Sequence, residues 1–134
     1  MGIYPGPYTA RAPRGIVKIS FWDSGDIEID INTNGMAKKC STSNENLNGC
    51  GIHIHEGKVC DDYDEIGFHY WRPMSADDPW GDIRYQSNSK GTTQMTIIIP
   101  DGNGYSMEEN DGHAVVMHDA DGNRISCGIL GKMY

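Results

Sequence analysis

The stretch Asp26-Ile27-Glu28-Ile29-Asp30-Ile31-Asn32 alternates apolar and polar residues without a break. Successive side chains of a strand point to opposite faces. Ile27, Ile29 and Ile31 therefore line one face, and Glu28, Asp30 and Asn32 the other. The preceding residues Gly15 to Trp22 repeat the pattern, with Val17, Ile19 and Phe21 on one side and Lys18 and Ser20 on the other. Asp23-Ser24-Gly25 supplies a turn between them, so the pair reads as a β-hairpin with one buried face. Asn34-Gly35 ends the second strand.

Outward from the hairpin the chain continues as short strands and turns. Residues 37–49 are polar and Asn-rich and read as a loop flanked by Cys40 and Cys50. The next strand spans 50–56, with Ile52 and Ile54 inward and His53 and His55 outward. A long irregular stretch then runs from Gly57 to about Gly81. Loops of that length in a compact domain are usually functional. Further strands are predicted over 83–87, 92–99, 112–118 and 124–130. They are separated by the turns Asn88-Ser89-Lys90-Gly91, Asp101-Gly102-Asn103-Gly104 and Asp119-Ala120-Asp121-Gly122-Asn123. The count is seven or eight strands and no helix. This predicts an all-β, Greek-key sandwich or barrel of about eight antiparallel strands.

The 134 residues suit one domain, here 14–134, preceded by an extended arm over 1–13 that packs on a partner or a neighbouring domain. The 17 glycines and 6 prolines fit a loop-rich β domain. No run approaches the ~18 apolar residues of a membrane span, and no apolar stretch of signal-peptide type opens the chain. Met1 before a Gly/Pro/Tyr-rich leader reads as the trimmed start of a longer protein. The net charge of -8 argues against nucleic acid and anionic membranes as partners. An anionic substrate remains compatible if the site is locally positive.

Cys40, Cys50, Cys60 and Cys127 allow three pairings. None forms a Cys-x-x-Cys pair. An even count in a modest core favours two disulfides and a secreted origin over four buried thiols. Asp119-x-Asp121-Gly122-Asn123 is superficially a calcium loop. Its twelfth position is Leu130, in a strand, where a calcium loop needs a bidentate carboxylate, so it reads as a tight turn.

The histidines carry the functional signal. His53 and His55 stand two apart on a strand and share a face, where two imidazoles can grip one metal. A nitrogen set of this type suits copper, zinc, nickel or iron. An exposed pair without metal fits the spacing equally well. His69 and His118 are isolated in sequence. His113 lies five residues before His118, on the opposite strand face, and is assigned a structural role.

Taken together these pieces resemble the copper–zinc superoxide dismutase family. Gly51-Ile52-His53-Ile54-His55-Glu56-Gly57 resembles the strand that bears the first two copper ligands. Cys60 resembles the loop cysteine, and Gly67-Phe68-His69 the segment of the bridging histidine. Gly112-His113-Ala114-Val115-Val116-Met117-His118-Asp119 resembles the strand of the last copper ligand. Arg124-Ile125-Ser126-Cys127-Gly128-Ile129-Leu130-Gly131 resembles the block with the active-site arginine and the second cysteine. The likeness covers about residues 14–131. It implies copper on His53, His55, His69 and His118, and a Cys60–Cys127 disulfide, with Cys40–Cys50 as an extra staple. A bond closing the longer loop contributes on the order of 4 kcal/mol in the chain-entropy view.

The resemblance is incomplete. No histidine lies between His69 and His113, and only Gly81-Asp82 is similar to the zinc aspartate segment. A closed zinc site takes four ligands, so no zinc is expected. The family's charged loop is missing too, since five residues separate His118 from Arg124. This resembles the copper-only branch, including secreted fungal enzymes and copper-only repeat proteins, in which this domain would have tandem neighbours. Without zinc, the second nitrogen of His69 needs another partner; Asp82 ranks first, with Asp77 and Asp78 as alternatives.

The resemblance implies disproportionation of superoxide to dioxygen and hydrogen peroxide. His69 would leave copper on reduction and shuttle a proton. Arg124 would hold the anion, with Lys58 or Lys132 adding positive charge. Two rival readings keep the fold without the reaction: a copper carrier with the same ligands, and a structural extracellular module.

Overall fold

The computed structural model of the chain describes residues 2–3, 14–38, 40–73 and 76–131. Seven strands and two single-turn helices follow in order. They are β1 (Gly2–Ile3), β2 (Arg14–Phe21), β3 (Ile27–Asn34), β4 (Ile52–Ile54), α1 (Tyr63–Ile66), β5 (Thr93–Ile99), α2 (Met107–Asn110), β6 (Ala114–His118) and β7 (Arg124–Ile129). One antiparallel sheet has the order β2-β3-β5. The other has the order β4-β6-β7, with the two residues of β1 on the outer edge of β7. No closed barrel forms among the described residues. Of the expected arm at 1–13, Gly2 and Ile3 pair with Cys127 and Ser126, and the remainder lies outside the described residues, as does Lys132.

The expected β2–β3 hairpin is present, with Val17 opposite Ile31, Ile19 opposite Ile29 and Phe21 opposite Ile27. Ile27, Ile29 and Ile31 are buried, and the intervening residues of β3 are more open. These isoleucines pack with Ile52, Ile54, Val115 and Met117 of the second sheet in one core cluster. The two sheets thus share a single core. Fully burying an aliphatic side chain is worth roughly 1.5–3 kcal/mol, so the shared cluster holds the layers together.

Three expectations needed correction. The 83–87 strand is reduced to one bridge, Arg84 with Gly51. Arg84 instead spends its guanidinium on the carbonyls of Gly81 and Asn46. The chain is not free of helix. Asp62 caps α1 by accepting from the N–H groups of Asp64 and Glu65. Ser106 and Glu109 form a reciprocal capping box on α2. Finally, His53 and His55 do not face solvent, because β4 is buried on both sides.

Candidate metal centre

The second sheet explains that burial. Val115 and Met117 of β6 point into the shared core. Ala114 and Val116 point the other way and pack with Ile66, Cys127 and Cys60. His53 sits opposite Val116 in register and lies on this outer face. From the 57–81 segment, Ile66 packs on this face and His69 lies beside His53. The Cys60–Cys127 disulfide pins that segment to β7. Cys40–Cys50 closes the preceding loop immediately before β4. Both disulfides fit an oxidising, extracellular type of environment. Among the described residues no helix is long and apolar enough to cross a membrane.

Under this cover the histidines converge. Metal-binding nitrogens of His53, His55 and His118 lie within 4.8 Å of one another. The His69 ring stands beside them, its centroid 4.1 Å from that of His53 and 5.1 Å from that of His55. An antiparallel bridge between His55 and His69 brings it there. His113 is excluded from the cluster, as the strand alternation requires. Its Nδ1 donates to the carbonyl of His55 at 3.0 Å.

A carbonyl can only accept, so each ring nitrogen bonded to one must carry the proton. His55 Nδ1 donates to the Gly67 carbonyl at 2.9 Å. His118 Nδ1 donates to the Gly51 carbonyl at 3.2 Å. Both rings therefore keep a bare lone pair on Nε2. Those two atoms, with His53 Nδ1, are buried and have no hydrogen-bond partner. An unpartnered buried polar atom costs roughly 1–3 kcal/mol. Three of them from one cluster call for a ligand that accepts lone pairs.

Electrostatics push the same way. Burial above all drives His53 well below its usual range, aided by the neighbouring imidazoles. Burial likewise lowers His55 to about 3 and His118 to about 4, with Arg124 contributing to both. The rings stay neutral at physiological pH, the form that binds metals.

His69 is held from behind by a carboxylate. Its Nδ1 meets Asp78 Oδ2 at 2.6 Å. Asp78 is the residue that fills this role; Asp82, ranked first from the sequence, is exposed, as is Asp77. The reason is local. Asp78 Oδ1 accepts from the Trp80 N–H at 2.8 Å, which turns the chain so that Oδ2 faces His69. Trp80 is fully buried, and its indole N–H donates to the Tyr70 carbonyl. The ring of Trp80 stands edge-on to His53 at 6.2 Å.

Arg124 is the cross-strand partner of His118, beside a register shift that follows Met117. Its guanidinium donates to the Gly67 carbonyl at 3.0 Å. That carbonyl thus joins Arg124 and His55. Gly67 has φ 73° and ψ -155°, and a Cβ there would sit 2.8 Å from Glu56 Oε2. Only glycine adopts such a conformation at no cost. Lys58, by contrast, is exposed next to Gly112, beyond the end of β6 opposite His118.

Some supports were not visible in the sequence. Tyr85 is fully buried, and its hydroxyl donates to the His118 carbonyl at 2.5 Å. Gly51 leaves no room for a side chain, since a Cβ there would lie 2.4 Å from His53 Cε1. The Asp119 turn is closed by its own carboxylate, which accepts from the N–H groups of Asp121 and Asn123. No protein-family model and no curated protein matches the chain.

Proposed function

We propose that this chain is a secreted, copper-only superoxide dismutase whose two sheets form a Greek-key sandwich of the superoxide-dismutase type. The observation that carries the reading is a buried cluster of three imidazoles, each with a ring nitrogen that has no hydrogen-bond partner. Neutral imidazoles in a nitrogen-only set suit copper. His53, His55 and His118 would hold it, with His69 as the fourth ligand. Copper would supply one-electron chemistry, oxidising one superoxide to dioxygen and reducing a second to hydrogen peroxide.

The protein's own groups do the rest. Arg124, half-buried beside His118, offers a fixed guanidinium to the small anion through charge-assisted donors. Arg124 thereby sets one positive charge beside the histidines in a chain of net charge -8. His69 stands at the edge of the cluster, with 12% of its side chain exposed. Its bond to Asp78 fixes the proton on Nδ1 and leaves Nε2 to exchange a proton with the reduced product. That same bond occupies the nitrogen a second metal would need, which supports a site without zinc.

Pulse radiolysis of copper-loaded protein tests the proposal. Superoxide should decay catalytically, and Arg124→Ala should slow that decay while copper stays bound. Slow decay in the loaded wild-type protein would leave only the copper-carrier reading.

A further inference from the structure

Outside the histidine cluster the structure carries an aromatic column with no role in the proposed reaction. The rings of Tyr70 and Tyr105 lie 3.9 Å apart between centroids, with planes 1° from parallel. On the other side of Tyr70, the His113 ring stacks at 3.9 Å and 17°. Arg72 caps the column, its guanidinium carbon 4.5 Å from the Tyr105 centroid.

Tyr70 is tied to the metal centre by three separate routes. It follows His69 directly in the chain. Its stacked neighbour His113 donates to the His55 carbonyl at 3.0 Å. Its carbonyl accepts from Trp80 Nε1 at 2.9 Å, and Trp80 lies edge-on to His53. At the outer end, Tyr105 is anchored by Asn110, which donates to its carbonyl at 3.2 Å. Arg72 is also fixed, by the Gly104 carbonyl and by Glu109. The two phenol rings are held face to face within this frame.

We propose that Tyr70 and Tyr105 are a sacrificial electron-donor pair for the metal centre, oxidised together by hydrogen peroxide to an intrachain dityrosine. The inference rests on the copper reading above, whose product is that peroxide. The balance closes within the pair. Each tyrosine loses one electron and one proton, and a carbon–carbon bond forms between ring positions ortho to the two hydroxyls. The peroxide O–O bond breaks, and the two electrons and two protons convert it to two waters. Oxidation is thereby diverted from the histidine ligands to the column beside them.

The test uses the full chain loaded with copper(II), treated with hydrogen peroxide, and read by peptide mass spectrometry and dityrosine fluorescence. The expected product joins the Tyr70 and Tyr105 peptides within one chain, two hydrogens lighter. It should form in copper-loaded protein and not in metal-free protein. Tyr70→Phe and Tyr105→Phe keep the ring stack and should each abolish the link, while oxidation of His53, His55 and His118 rises several-fold. Copper bound with its nitrogen signature but no Tyr70–Tyr105 link would overturn this inference alone. Equal linking without metal, or unchanged histidine damage in both variants, would also overturn it. Failure to bind copper at the histidines would overturn the site reading, and this inference with it.

Discussion

At the scale of single residues, the proposed chemistry depends on atoms that would not touch the metal. Asp78 fixes the tautomer and orientation of His69. Removing such a partner typically weakens metal affinity roughly 10–100-fold, and Asp78→Ala should do so in a copper competition titration. The same substitution at Asp82, which is exposed, should leave affinity unchanged. Gly51→Ala is expected to be as damaging as loss of a ligand. The added methyl would sit 2.4 Å from His53 Cε1, with the Asn48 carbonyl 2.9 Å away, so the ring must move. Altered copper spectra in a folded Gly51→Ala protein would show it. His53 and His55 were legible as a pair from strand alternation. Asp78 was not, because the choice among three nearby acids depends on a turn that only the Trp80 N–H contact defines.

Elements bring these residues together, and the decisive one is mostly loop, broken by the single turn of α1. In the 57–81 segment Ile66 packs on the outer face of the second sheet, and the anchor is Cys60–Cys127. The two cysteines stand 67 positions apart in the chain. In the chain-entropy view, closing a loop of that size contributes on the order of 4 kcal/mol. Cys60→Ser with Cys127→Ser should lower the denaturant midpoint accordingly. It should also weaken copper binding, because the same segment supplies His69 and the Gly67 carbonyl. Unchanged copper affinity in that folded variant would separate the anchor from the site. The hairpin β2–β3 was readable because its alternation is uninterrupted. The 83–87 segment misled because Ile83, Arg84 and Tyr85 look like a strand, yet Tyr85 turns inward to the His118 carbonyl and Arg84 binds loop carbonyls. Burial of His53 and His55 was equally hidden. A period of two assigns a face but not what lies over it.

For the whole molecule, an all-β fold was legible from composition and period, with sandwich and barrel left open, whereas the gathering of His53, His55 and His118 was legible only through resemblance. Folding without metal has a cost that pH exposes. In the unfolded chain the imidazoles take up protons as pH falls through about 6.5; in the folded chain His118 does so only near 4 and His55 near 3. Between those limits the unfolded state binds more protons. Stability of the metal-free protein is therefore full above about pH 6.5 and is lost on acidification, by up to about 1.4 kcal/mol per pH unit for each such histidine. Denaturant midpoints near pH 7 and near pH 5 should differ in that direction, and bound copper should suppress the difference above the point where it is released. The central claim is that one ion joins four imidazoles contributed by remote parts of the chain. Electron paramagnetic resonance of the protein given one equivalent of copper(II) is its most direct test. A tetragonal spectrum with multiple nitrogen couplings is expected, collapsing in His53→Ala and His118→Ala. A copper signal indifferent to both substitutions, or no stoichiometric binding, would contradict it.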